Sequence, residues 1–151
     1  MIYVDTSFIV SAYGQDVNTT EACAYLSSHE VKLPLNFLHW PELAGSLWKN
    51  YTDAEARWKI IEADLLDDVN ICHVSPDAGR VGRRAAGLMK GFCRRWPKLR
   101  ALDVMHVAAA VEIQAKTFLS FDSRSYQRAL AHTQGLKVWP ALATEEKSWL
   151  K

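Results

Sequence analysis

Met1-Ile2-Tyr3-Val4-Asp5-Thr6-Ser7 decides how the rest of the chain is read. Ile2, Tyr3 and Val4 have the composition of a short buried strand. The strand runs directly into a carboxylate and two hydroxyls. An ionised carboxylate in that position has to be solvated, paired or bound to a cation. Asp-Thr-Ser is also ordinary helix-capping chemistry. The choice depends on which other residues the fold brings to the same place.

Working outward, the same alternation recurs. Further apolar runs at Val31–Leu35, Val69–Val74, Thr117–Phe121 and Leu136–Trp139 read as strands two to five, with Pro34 marking a strand end or irregular pairing. Helical patterns fill the gaps. One covers 7–13, capped by Thr6 or Ser7 and stopped at Gly14. The next starts at Asn18-Thr19-Thr20-Glu21 and runs to about residue 28. Residues 37–50 form a third, with Pro41 and Glu42 in its early turns. Thr52-Asp53 starts a fourth, to about Asp67. Its Ala54, Trp58, Ile61 and Leu65 make a stripe better suited to a core than to a partner. Ser75-Pro76-Asp77 caps a helix to about Phe92, broken by Arg94-Arg95-Trp96-Pro97. Leu102–Gln114 is apolar and alanine-rich. Asp122-Ser123 caps a last helix to about His132, which Gly135 ends. The final twelve residues either add a short amphipathic turn with Trp149 and Leu150 or fray. Short strands alternating with helices predict an α/β fold: a three-layer domain over residues 1–151 with a mainly parallel five-stranded sheet.

Composition narrows the function classes. With 49% hydrophobic and 23% charged residues the chain is a globular domain and not a disordered one. A net charge of +1 gives no global signal for nucleic acid, so any such signal is local. Cys23, Cys72 and Cys93 are odd in number, widely spaced and form no Cys-x-x-Cys pair, which supports neither a zinc knuckle nor a disulfide framework. Three buried thiols in a reducing cytoplasm is the simplest expectation. The first strand begins at once, without the pattern of a signal peptide, and no apolar run approaches ~18 residues. A cytoplasmic protein without a membrane span is expected.

In a parallel α/β sheet, sites lie outside the carboxyl ends of the strands. Asp5 and Asp122 directly follow strands one and four. Glu42 lies in the early turns of the helix after strand two, which starts at the same edge. Asp103 opens the helix that feeds strand four. That helix runs opposite to the strand, so it also starts there. Four carboxylates distant in sequence are therefore expected at one edge. Packed together they repel, and a bound divalent cation resolves this. Oxygen ligands suit Mg²⁺ or Mn²⁺. Removing one acid from a metal-free cluster is expected to relieve repulsion. Asp77 is a control: it also follows a strand and caps a helix, so edge position alone does not decide.

Several stretches resemble one family. These are Ile-Tyr-Val-Asp5-Thr-Ser, Pro-Glu42-Leu-Ala, Arg100-Ala-Leu-Asp103-Val-Met-His106-Val-Ala-Ala-Ala and Phe-Leu-Ser-Phe-Asp122-Ser-Arg. In order and spacing they look like the PIN domain, closest to VapC-type toxins of toxin–antitoxin pairs. The resemblance implies a sheet ordered 3-2-1-4-5 and a Mg²⁺- or Mn²⁺-dependent endoribonuclease. It places Asp5, Glu42, Asp103 and Asp122 on the family's acidic positions and leaves Asp77 off them. Asp5 and Asp103 would be the main metal ligands. Glu42 would bind metal or orient the attacking water, and Asp122 would hold a second metal or its water. Thr6, Ser7 and Ser120 would support them by hydrogen bonds. His106 reads as structural. A cognate antitoxin and a homodimer are implied, with the Trp58 stripe or Trp149 as possible contributors to the latter.

Between Ala78 and Leu102 stand Arg80, Arg83, Arg84, Lys90, Arg94, Arg95, Lys98 and Arg100, with no acid. Such an arm suits an RNA phosphate backbone, with Phe92 and Trp96 stacking on unpaired bases. The alternatives are a solvated face, a surface for an acidic partner or, for Arg100, neutralisation of the acids. Two other functions compete with the nuclease. One is a non-catalytic PIN fold that holds RNA or a partner. The other is a phosphotransfer receiver, which the two-helix crossovers and the late Asp103 fit poorly. No Gly-rich phosphate loop and no Gly-x-Ser-x-Gly elbow is present.

Overall fold

Five short strands alternate with eight helices in the computed structural model, which describes residues 1–151. In chain order these are β1 Ile2–Val4, α1 Thr6–Tyr13, α2 Thr19–His29, β2 Leu33–Leu35, α3 His39–Asn50, α4 Ala54–Leu66, β3 Ile71–His73, α5 Ala78–Phe92, α6 Ala101–Glu112, β4 Thr117–Leu119, α7 Gln127–Thr133, β5 Lys137–Trp139 and α8 Thr144–Ser148. All five strands fall where the apolar runs placed them, β1 with the bounds expected and the other four trimmed to three residues.

The single five-stranded sheet in the order 3-2-1-4-5 needs correction. The strands form two sheets, one ordered β1-β4-β5 and one of β2 and β3. Pro34 supplies a physical reason. In β2, Leu33 N–H donates to Asn70 O and Leu35 O accepts from Val74 N–H, both at 2.8 Å, so residues 33 and 35 bond toward β3. Alternate residues of a parallel strand bond to opposite sides. The residue left for the other edge is Pro34, which has no N–H. Pairing is parallel in β2–β3 and in β4–β5.

The chain packs as two units, one of Val4–Ser75 and one of Met1–Tyr3 with Pro76–Lys151. In the first, Phe8, Ile9, Leu33, Leu35, Leu43, Leu47, Ile61 and Ile71 are fully buried. The α4 stripe faces inward, with Ala54 and Ile61 buried and Trp58 and Leu65 half-buried. Trp58 meets Trp40 and Trp48 edge-on, at 5.6 and 5.8 Å between ring centroids. Gly14 is the C-cap of α1 and leaves no room for a side chain, since a Cβ there would lie 2.3 Å from the Tyr51 hydroxyl.

In the second unit α5 packs along α6, whose Val104, Val107 and Ala108–Ala110 are fully buried. Tyr3 stacks on Phe118 with ring centroids 5.6 Å apart. Gly135, at φ +80°, turns the chain out of α7 in a left-handed conformation that favours glycine. The last residues form α8, where buried Glu146 accepts from Ala143 N–H at 2.8 Å and pairs with buried Arg128 at 3.2 Å. The three thiols are not buried together: Cys23 and Cys93 are exposed and Cys72 is half-buried, because each falls on an outward-facing or marginal position of its element. No helix is long and apolar enough to cross a membrane.

Candidate functional site

Asp5 is the N-cap of α1, with extended backbone and a carboxylate turned back onto the first turn. Its Oδ2 accepts from Ser7 Oγ at 2.6 Å and from Ser7 N–H at 3.3 Å. Asp5 therefore does the capping assigned above to Thr6 or Ser7. That places the charge at the positive end of the helix. Thr6 has a different partner: its hydroxyl donates to Glu42 Oε2 at 2.6 Å. A carboxylate oxygen of Asp5 lies within 4.8 Å of one of Glu42. Two acids, one from the N-cap of α1 and one from α3, thus lie side by side, each bonded to a hydroxyl.

His39 and Asn36 set the start of α3; from sequence His39 reads as a satisfied or exposed histidine that is not a metal ligand, and Asn36 carries no signal. Both are fully buried. His39 Nδ1 accepts from Asn36 N–H at 3.0 Å, which leaves its Nε2–H to donate to Val4 O at 2.9 Å. Asn36 Oδ1 accepts from Leu38 N–H at 2.9 Å. These bonds tie the first turn of α3 to the end of β1, and so Glu42 to Asp5. A histidine three residues before the acid was the available signal.

The second pair belongs to the other unit. Asp103 lies in the first turn of α6 and is buried. Arg100, at the N-cap, grips it with both arms of the guanidinium: Nε donates to Oδ2 at 2.9 Å and Nη2 to Oδ1 at 3.2 Å. The same Nη2 donates to Asp122 Oδ2 at 3.2 Å. The Arg100 side chain is 66% exposed, against 8% for Asp103 and 25% for Asp122. Solvent screening at the guanidinium limits each pair to about 1 kcal/mol or less.

Asp122 does not cap a helix. Its Oδ1 accepts from Arg124 N–H at 3.0 Å and Ser125 N–H at 3.3 Å, closing a turn, and α7 starts only at Gln127. Ser120 Oγ accepts from Asp122 N–H at 3.1 Å and donates to Gln127 Oε1 at 3.4 Å. Buried Gln127 in turn reaches Asp103 O at 3.5 Å. This glutamine spans from the β4 turn to α6 and carried no motif. His106 Nδ1 is hydrogen-bonded to the Tyr3 hydroxyl at 2.7 Å.

The basic stretch divides into separate roles. Arg80 pairs with Glu112 at 2.7 Å, and Arg95 donates to Trp149 O at 2.8 Å. Arg83, Arg84 and Arg94 are exposed. Trp96 cannot be a base platform. It is 2% exposed, because both faces of the indole are used, by Phe92 at 4.8 Å and Tyr126 at 5.3 Å. Tyr126 also takes Trp149 edge-on at 4.7 Å, which spends that residue within the chain. Asp77 caps α5 through Arg80 N–H at 2.7 Å, an ordinary N-cap.

The donor set suits a hard divalent cation: carboxylate oxygens held by hydroxyls in the first pair and by Arg100 and backbone amides in the second, with no thiol in either. The PIN domain profile matches residues 2–132. No curated protein matches the chain. PIN domains are in general metal-dependent nucleases. The match spans both acidic pairs, and the chain belongs to the PIN domain family.

Proposed function

We propose that residues 1–151 act as one Mg²⁺- or Mn²⁺-dependent endoribonuclease, similar to the VapC-type toxins of toxin–antitoxin pairs. The observation that carries this is the gathering of four acids into two supported pairs, each at a strand end or the first turn of a helix.

A bound divalent ion would polarise the phosphodiester and lower the pKa of the attacking water. Asp5 and Asp103 are assigned as its main ligands. Glu42, with Oε2 fixed by Thr6, binds the ion or orients the water. Asp122, held by Ser120 and its own turn, completes the set. Exposed Arg83, Arg84 and Arg94 offer charge to the RNA backbone. RNA is the substrate, a cognate antitoxin and a second copy are the expected partners, and the cytoplasm is the expected location. A small upstream reading frame with a DNA-binding N-terminus would support the toxin assignment.

Cleavage of single-stranded RNA with Mn²⁺ tests the reading. Asp5→Asn or Asp103→Asn is expected to lower turnover by about 10²–10³-fold, the scale for losing one preorganised electrostatic group. Activity that survives both changes rules out the assigned site. A second reading, a PIN fold that holds RNA without cutting it, is favoured by Arg100, which already neutralises Asp103 and Asp122. RNA retention with no metal-dependent turnover would select it.

A further inference from the structure

Arg100 faces two sets of groups. On one side are Asp103 and Asp122, bridged by its guanidinium. On the other is a cavity of about 240 Å³ lined by Lys98, Arg100, Asp122, Arg124 and Ser125. Three cations and one carboxylate line that cavity. The carboxylate is the one Arg100 already holds, and its other oxygen is taken by the Arg124 and Ser125 amides. Lys98 and Arg124 are exposed. The surplus positive charge and the planar guanidinium fork select a tetrahedral oxyanion over a neutral ligand.

We propose that Lys98, Arg100 and Arg124 form a subsite for a phosphate group of the RNA backbone, and that Arg100 is given over to it when a divalent ion takes its place on Asp103 and Asp122. The proposal rests on the nuclease reading. One guanidinium cannot serve both sets fully. While the acids lack another cation, they hold it. Once a divalent ion neutralises them, Arg100 loses its reason to stay, and its exposed side chain turns at little cost. Ion and phosphate then favour each other's binding. By linkage the coupling is reciprocal. Arg100 is a positioning residue in this scheme: it competes with the ion and assists the phosphate.

Two affinities test this, both separate from turnover. Ca²⁺ binding is measured by calorimetry, and binding of a short fluorescein-labelled single-stranded RNA by anisotropy, in Ca²⁺ and in EDTA. Arg100→Gln is expected to tighten Ca²⁺ by about tenfold and weaken RNA by about tenfold, the scale of a hydrogen bond to a charged group. Arg124→Gln is expected to weaken RNA similarly and change Ca²⁺ affinity by less than about twofold, since only its backbone meets Asp122. Wild-type protein is expected to bind RNA more tightly in Ca²⁺ than in EDTA, and Arg100→Gln is expected to lose most of that gain. Unchanged Ca²⁺ affinity in Arg100→Gln overturns the proposal. So does an equal Ca²⁺ gain in Arg124→Gln, which would mark a long-range field effect. Asp103→Asn separates this failure from a failure of the nuclease site. If it keeps full Ca²⁺ affinity, the assigned ligands are wrong. If it loses Ca²⁺ while Arg100→Gln gains none, only the Arg100 role falls.

Discussion

The two halves of the chain satisfy their buried and half-buried carboxylates by different means, while the exposed Asp53, Glu55 and Asp68 pair with Arg57, Lys59 and Lys32. Val4–Ser75 holds eleven acidic and four basic residues, and the remainder holds six and fourteen. Partners follow that imbalance. Among these carboxylates in the acid-rich half, Asp5 accepts from the Ser7 hydroxyl, Glu42 from Thr6 and Asp64 from Tyr13. In the base-rich half, Asp103 and Asp122 are met by Arg100, Glu112 by Arg80 and Glu146 by Arg128. A hydroxyl orients a carboxylate and leaves its charge intact. A guanidinium orients and neutralises it. The Asp103–Asp122 pair therefore carries a cation of its own in Arg100.

The largest effect that can break this comparison is at Glu146. Glu146→Ala leaves the Arg128 charge buried without its carboxylate, with an expected loss of about 3–5 kcal/mol in denaturant unfolding. The double change Arg128→Met with Glu146→Leu is expected to recover most of it. If the single change costs no more than a surface pair, the two halves do not differ as argued.

Thr6→Val comes next. It removes one hydrogen bond to a half-buried carboxylate and is expected to cost about 1 kcal/mol. That cost should not depend on salt, because no ion pair is lost. Metal-free Arg100→Gln should cost less, and what it costs should fade as salt screens the exposed guanidinium. Equal salt dependence in the two variants would erase the distinction.

Tyr13 gives the smallest and most specific test. Burial, followed by its hydrogen bond to Asp64, pushes its phenol pKa well above the usual 10.0. A group raised in the folded state contributes stability that is full below the unfolded pKa and is lost as pH rises toward the folded one. Wild-type melting temperature should therefore fall more steeply above pH 10 than that of Tyr13→Phe. Parallel curves would place the alkaline transition elsewhere.

Sequence patterns carried the local features and lost the long-range ones. Strand positions followed from apolar runs, and the Asp77 cap and the α4 stripe from spacing within one element. Arg100 and Asp103 are three residues apart at a helix start, so their contact was within reach of a spacing rule. The hydroxyl assignments were not, because Thr6 and Ser7 are adjacent and nothing in their order says which one meets Glu42. The break in the sheet was written in Pro34, and reading it required knowing which edge residue 34 faces. Trp96 was misread because exposure of an aromatic beside arginines depends on Phe92 and Tyr126, and the latter is distant in sequence.

Arg128 also donates to Pro140 O at 2.6 Å and to Ala141 O at 3.1 Å, beyond its pairing with Glu146. The family match ends at residue 132, so all three anchors lie past it. The matched range thus stops short of the residues that anchor Arg128. A fragment cut at 132 would lose β5 and leave a lone charge inside α7. Arginine at 128 and a carboxylate at 146 should be inherited together or lost together, even where the intervening tail drifts freely.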